Sequence, residues 1–186
     1  ENFKPGTLEK WGLGWKDLCS KFPKLIYASA SGFGQTGPLK ELPAYDMVVQ
    51  GMGGLMSVTG HPQTEPTRVG TSIGDITAAL FTTIGINSAL YDREKTGKGM
   101  FIDVSMLDCQ IAILENAIAR YLSKNEIPQP MGSRHPSIAP FEAFKTKDSH
   151  IIIAAGNDKL FEKLCYALDM KAEFNNEKFK TNALRC

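Results

Sequence analysis

Thr71-Ser-Ile-Gly-Asp75-Ile-Thr-Ala-Ala-Leu80-Phe-Thr-Thr-Ile-Gly85-Ile-Asn-Ser-Ala-Leu90-Tyr91 is the stretch on which the fold turns. From Ile73 to Arg93 the apolar residues lie on every side of a helix rather than along one stripe, so this helix expects partners on most of its faces. A helix of that kind is central to its domain. Its charge-free run, Ile76 to Tyr91, is 16 residues long and carries Thr, Asn and Ser. That is too short and too polar to span a bilayer. Lys95-Thr-Gly-Lys-Gly99 then ends it with glycine.

Upstream, Lys24 to Ser31 is mostly apolar and bounded by Pro23 and Gly32, which predicts a strand. Residues 32–43 hold three Gly and two Pro and predict a loop. Ala44 to Met56 reads as a helix broken at Gly51-Met-Gly-Gly54, and Thr7 to Cys19 as one or two turns weakened by Gly12 and Gly14. Downstream, Met100 to Val104 predicts a short strand, and Ser105 with Asp108 a capped helix start. Leu107, Ile111, Leu114, Ile118 and Tyr121 step by four and three, an amphipathic stripe on one continuous helix. Phe141–Lys145 and His150–Ala154 flank a four-residue turn and predict a hairpin. Asn157-Asp158 caps a last helix. The fold class is therefore α/β. Ser123 to Pro130 has the composition of a connection, giving a larger part over 1–122, a link over 123–140 and a smaller part over 141–186.

The 186 residues are 42% hydrophobic and 22% charged, with a formal net charge of +1. No broad basic field attracts nucleic acid or an anionic membrane. The four cysteines are far apart and the histidines number three, which signals neither a metal site nor a disulfide framework. A reducing compartment, the cytoplasm by default, is expected. The missing initiator Met and the ending Leu-Arg-Cys186 lead us to expect a segment of a longer protein.

Two glycine-rich stretches invite a nucleotide reading. Gly32-Phe-Gly34-Gln-Thr-Gly37 follows a predicted strand, but Pro38 and Pro43 stand where a helix should open, so a loop with closely approaching backbone is the better account. Thr96-Gly-Lys-Gly99 lacks the spacing of a phosphate loop and reads as a helix cap. His61 reads as a turn residue, and His135 is weighed as a ligand contact. Asp75 opens the central helix, where free N–H groups and the positive helix end favour a carboxylate. Simple capping accounts for its position. It does not account for the small residues on both sides, Thr71-Ser-Ile-Gly74 and Ile76-Thr-Ala-Ala79, which leave room for something large.

Asn2-Phe3 with Pro5-Gly6, Leu25-Ile-Tyr27 running into Ser31-Gly-Phe-Gly-Gln-Thr-Gly-Pro38, Ala44-Tyr-Asp46, Gly54-Leu-Met56, Gly74-Asp75, Thr96-Gly-Lys-Gly99 and Asp103-Val-Ser-Met106 occur in that order. Together they resemble the family III coenzyme A transferases. The resemblance implies the central segment of that family's α/β fold, truncated at both ends and normally an interlocked homodimer. It further implies CoA transfer from an acyl-CoA to a carboxylic acid, with CoA as substrate rather than bound cofactor and no metal. Asp75 matches the family's nucleophile, forming aspartyl anhydride and aspartyl-CoA thioester intermediates. Asn2, Phe3 and Tyr45 match positions lining the CoA site, and Gly53 and Gly54 are expected near it. An α-methylacyl-CoA racemase-like enzyme is the alternative within the fold, and a non-catalytic CoA-binding or assembly fragment the alternative outside catalysis. The racemases carry Gly-His-Asp where this chain has Ala44-Tyr45-Asp46.

Overall fold

A computed structural model describes residues 1–186 and divides them into two units, Glu1–Thr59 with Glu65–Gln129, and Gly60–Thr64 with Pro130–Cys186. In the first unit the helices are α1 (Thr7–Lys10), α2 (Trp15–Cys19), α3 (Asp46–Met52), α4 (Leu55–Val58), α5 (Ile73–Thr96), α6 (Met106–Ile113) and α7 (Glu115–Lys124). Strand β1 (Tyr27–Ser31) pairs in parallel with β2 (Phe101–Ser105), Tyr27 opposite Phe101 and Ser31 opposite Ser105. The connection between them contains α5, as parallel pairing requires.

α5 lies against both strands and against α3 and α6. Its contact face is built from small residues: Gly74, Thr77, Ala78 and Ala89 are its buried positions. At Gly85, where a Cβ would stand 3.0 Å from Ile102 Cγ2, the helix rides close on β2. Val49, Ala78, Val104, Met106 and Cys109 form the core beneath it. Burial there pushes the Cys109 thiol pKa above its ordinary value, with Asp108 adding to the rise. On the other side of the ribbon Trp15 stacks on Phe101 at 6.1 Å and meets Tyr27 at 6.3 Å, anchoring α2. Desolvation in that group raises the Tyr27 hydroxyl pKa, with Glu1 and Glu9 adding to it.

Two expectations are corrected. α5 is not covered on most faces: Ile76, Leu80 and Ile84 are 43%, 58% and 59% exposed. The small-residue face already fills the space above the ribbon, and this chain offers no second layer for the large side chains. The helix also runs to 24 residues, so by length and composition it could cross a membrane. Core helices of α/β folds meet the same criterion. The stripe Leu107 to Tyr121 is not one helix: α6 ends at Ile113, Leu114 serves as the cap between it and α7, and the buried side of α6 is Met106, Cys109 and Gln110. Periodicity located a stripe there but not the side facing the core.

The local signals otherwise hold. Ser105 Oγ accepts from Asp108 N–H at 3.2 Å. Gly97 closes α5 at φ 68°, its N–H on the Arg93 carbonyl at 2.8 Å. Gly99 passes so near Leu25 that a Cβ would fall 1.7 Å from the Leu25 carbonyl oxygen, and its N–H bonds the Pro23 carbonyl. No helix follows Gly32-Phe-Gly34-Gln-Thr-Gly37; instead Gln35 N–H donates to both carboxylate oxygens of Asp103 at 3.0 Å.

The second unit contains the hairpin of β3 (Phe141–Lys145) and β4 (His150–Ala154), with Phe141 opposite Ala154. Helix α8 (Asp158–Ala167) follows, its cap Asn157 accepting from Leu160 N–H at 2.9 Å. Short turns of helix close the unit: α9 (Lys171–Phe174), a 3₁₀ turn (Glu177–Phe179) and α10 (Asn182–Arg185). The Arg185 guanidinium ties them together, donating to the Ala139 and Phe179 carbonyls, pairing with Asp158 at 2.6 Å and lying over the Phe161 ring. The stretch Gly60–Thr64 joins this unit through Gly132 N–H on the Gly60 carbonyl, 2.8 Å. His135 makes local contacts, its ring 5.2 Å from Phe141 and its Nδ1 accepting from Ser137 N–H.

The exposed apolar face of α5 predicts that this chain on its own self-associates as concentration rises. Sedimentation should show species heavier than 20.4 kDa; a monodisperse monomer across the concentration range would contradict this.

Candidate functional site

Two adjoining cavities, of about 690 and 340 Å³, open at the N-terminal end of α5. Asn2, Ala30, Asp75 and Met106 line both. Phe3, Ser31 and Tyr45 line the smaller one, and Ala78, Ala79 and Thr82 the larger. Each wall follows from local structure. The Glu1 carbonyl accepts from Ala30 N–H at 2.9 Å, which lays Asn2 and Phe3 along the end of β1. Phe3 is steadied by Trp11, edge to face at 5.4 Å. Tyr45, immediately before α3, is 83% exposed.

Asp75 is the third residue of α5 and exposed, and its carboxylate accepts no hydrogen bond from the chain. A carboxylate so placed has the positive end of a 24-residue helix behind it and open space before it. It can act as a nucleophile toward an electrophilic carbonyl brought into the cavity. The small residues noted beside Asp75 in the sequence have this consequence: Ala78 and Ala79, on the following turn, leave the larger cavity its width.

The structure thus brings Asp75, Asn2, Phe3 and Tyr45 to one opening. Gly53 and Gly54 do not line it. Gly53 caps α3 and is buried, with room for no Cβ: the added atom would sit 2.7 Å from both Gln110 Cβ and the Val49 carbonyl oxygen. Gly54 has φ 86° and begins α4 beside Leu114. Both glycines serve the packing of α3 on α6.

Sequence reasoning passed over several lining residues. Lys4 is the one cation among them, and Ser31 contributes a buried hydroxyl without a hydrogen-bond partner. Ser31 closes a strand that runs straight into a glycine loop, a sequence position where a small polar residue signals an opening. Asp46, Gln50 and Arg68, which surround the start of α5, were also missed as a group. The one available sign was an acid directly ahead of the apolar Met47-Val48-Val49.

Comparison with known proteins gives a consistent result. The family model described as CoA-transferase family III matches residues 1–186. An acetyl-CoA:oxalate CoA-transferase of Acetobacter aceti is 49% identical over 166 residues, covering 89% of this chain and 43% of the relative. A human succinyl-CoA:glutarate CoA-transferase is 40% identical over 185 residues, covering 100% of this chain and 42% of the relative. Among solved structures, a CAIB/BAIF family protein from Brucella suis matches with TM-score 0.83 and 44% identity, covering 100% of this chain and 49% of that one. The chain thus spans less than half the length of these relatives.

Replacement of Gly53 by alanine should lower stability by about 1–3 kcal/mol, the usual cost of forcing a methyl into a filled contact. An unchanged midpoint in denaturant unfolding would show that Gln110 and α3 have more freedom than the structure gives them.

Proposed function

Because the chain belongs to CoA-transferase family III, we propose that it carries the nucleophile of an enzyme that moves coenzyme A from an acyl-CoA thioester to a carboxylic acid. One observation carries this reading: an unengaged carboxylate, Asp75, stands at a helix N-terminus in a cavity walled by Asn2, Phe3 and Tyr45.

A carboxylate oxygen of Asp75 attacks the thioester carbonyl, the carbon–sulfur bond breaks, and CoA leaves as thiolate from a mixed anhydride. The thiolate then attacks the aspartyl carbonyl of that anhydride, releasing the donor acid and leaving aspartyl-CoA thioester. The acceptor carboxylate displaces the thiolate to form a second anhydride. Attack of the thiolate on its acceptor carbonyl gives the new acyl-CoA and frees Asp75. No proton is consumed, and each intermediate is an activated acyl group, so transfer proceeds near thermoneutrality. Either intermediate would be lost to hydrolysis, so the site must exclude water during turnover. Two of the relatives are named for oxalate and glutarate, which supports a short dicarboxylic acid as acceptor. The exposed apolar residues of α5, Leu80 and Ile84 among them, support a homodimer in the whole protein, where a second layer would cover them.

In the intact enzyme, Asp75→Asn should lower exchange by at least about 10⁴-fold with CoA affinity nearly unchanged, since the covalent route is lost and the ground-state contacts remain. Trapping wild type with hydroxylamine during turnover should label Asp75. Retained transfer, or a label on a cysteine, would defeat the proposal.

Racemisation needs acid-base groups on both faces of the α-carbon, and a tyrosine, with an unperturbed pKa of about 10, is a poor base near neutrality. A 2-methylacyl-CoA should therefore take up no deuterium at that carbon from D₂O. Uptake dependent on both Tyr45 and Asp75 would reverse the assignment.

A further inference from the structure

The carboxylate of Asp46, at the start of α3, is 8% exposed. Burying a charge is costly unless donors and counter-charge surround it; two hydrogen bonds and a guanidinium do so here. Asp46 Oδ1 accepts from Gly74 N–H at 2.8 Å. Its Oδ2 accepts from Gln50 Nε2 at 2.9 Å and has Arg68 Nη2 at 3.9 Å. Gln50, wholly buried, also reaches the approach to α5: its Nε2 donates to the Thr71 carbonyl at 3.3 Å and its Oε1 accepts from Val69 N–H at 2.8 Å. The segment leading into α5 is therefore gripped at residues 69, 71 and 74 by two side chains of α3.

This grip replaces the usual cap. The first N–H groups of a helix need partners, commonly from the N-cap side chain or from an acid at the third position folding back. The Ser72 side chain caps nothing, and Asp75 occupies that third position without turning inward. Asp46 supplies the missing acceptor from another helix, at the residue immediately before Asp75. The fit is close: a Cβ on Gly74 would stand 2.7 Å from Val49 Cγ2 and 3.0 Å from Asp46 Oδ1.

We propose that Asp46 is a positioning residue for acyl transfer at Asp75: by holding the Gly74 amide it stops the first turn of α5 from fraying and leaves the Asp75 carboxylate unengaged and aimed into the cavity. The proposal rests on the reading of Asp75 as nucleophile. A purely stabilising role would change the melting temperature alone, whereas positioning changes the rate of the covalent step in protein that remains folded.

The test uses the intact enzyme and compares the single-turnover rate of adduct formation at Asp75 with the dissociation constant for CoA, below the melting temperature of every variant. Asp46→Asn keeps the shape and one acceptor oxygen but loses the charge-assisted bond, so the rate should fall about tenfold. Asp46→Ala removes the acceptor and should cost about 100-fold, the order expected for displacing a reacting group by about 1 Å. CoA affinity should stay within about twofold in both. Asp46→Asn forming adduct as fast as wild type would overturn the proposal whether or not the alanine variant folds, as would a loss of CoA affinity parallel to the loss of rate. Asp75→Asn in the same assay separates the two claims: adduct persisting there would sink the nucleophile reading and this proposal with it, whereas no adduct there alongside a fast Asp46→Asn sinks this proposal alone.

Discussion

Everything in the first unit depends on how closely α5 lies on the β1–β2 ribbon. With Ala78, Gly85 and Ala89 along its contact side, the helix backbone reaches the strands without large side chains between them. That approach sets the depth of the core around Val49, Val104 and Met106. It also fixes the height of the helix's first turn above the end of β1, and so whether Asp75 shares an opening with Asn2 and Ala30. A bulkier residue at any of these positions would lift the helix off the ribbon, and the opening would change shape with it.

Sequence reading succeeded where a signal is local. The hairpin Phe141–Lys145 with His150–Ala154 and the caps at Ser105 and Asn157 rest on turn and capping chemistry within a few residues, and they came through with their bounds. Asp75 stood out for a similar reason, an acid beside small residues at a helix start. Signals that depend on what lies opposite did not carry. The stripe from Leu107 to Tyr121 was visible, but which side of α6 meets the core is decided by α3 and α5, and they select Met106, Cys109 and Gln110. The apolar surround of α5 implied a buried helix, yet Ile76, Leu80 and Ile84 stand exposed because α3, α6 and the two strands meet only its small-residue side. Gly53 and Gly54 were expected near CoA, and they sit where α3 must pass α6.

The site is drawn from positions distant in sequence, and most of its walls are held by backbone. Asn2 and Phe3 are fixed by the Glu1 carbonyl, and Ser31 by pairing with Ser105. The start of α5 is fixed by amide groups at Val69 and Gly74. Met106 and Ala78 belong to the core as well as to the cavity wall, whereas Asn2, Tyr45 and Asp75 carry no part of the core, so contacts made through these three can change without loss of the fold.

The parallel pairing of β1 with β2 also bears on the order of assembly during synthesis. Tyr27 must wait for Phe101, with three helices in between, and closing so long a loop is entropically costly and slow. Until β2 emerges, the ribbon on which α5 lies is incomplete. The opening shared by Asn2 and Asp75 is therefore complete only once Met106, directly after β2, has been made. A nascent chain exposes the apolar length of α5 until β2 follows it, when a chaperone would find it most readily.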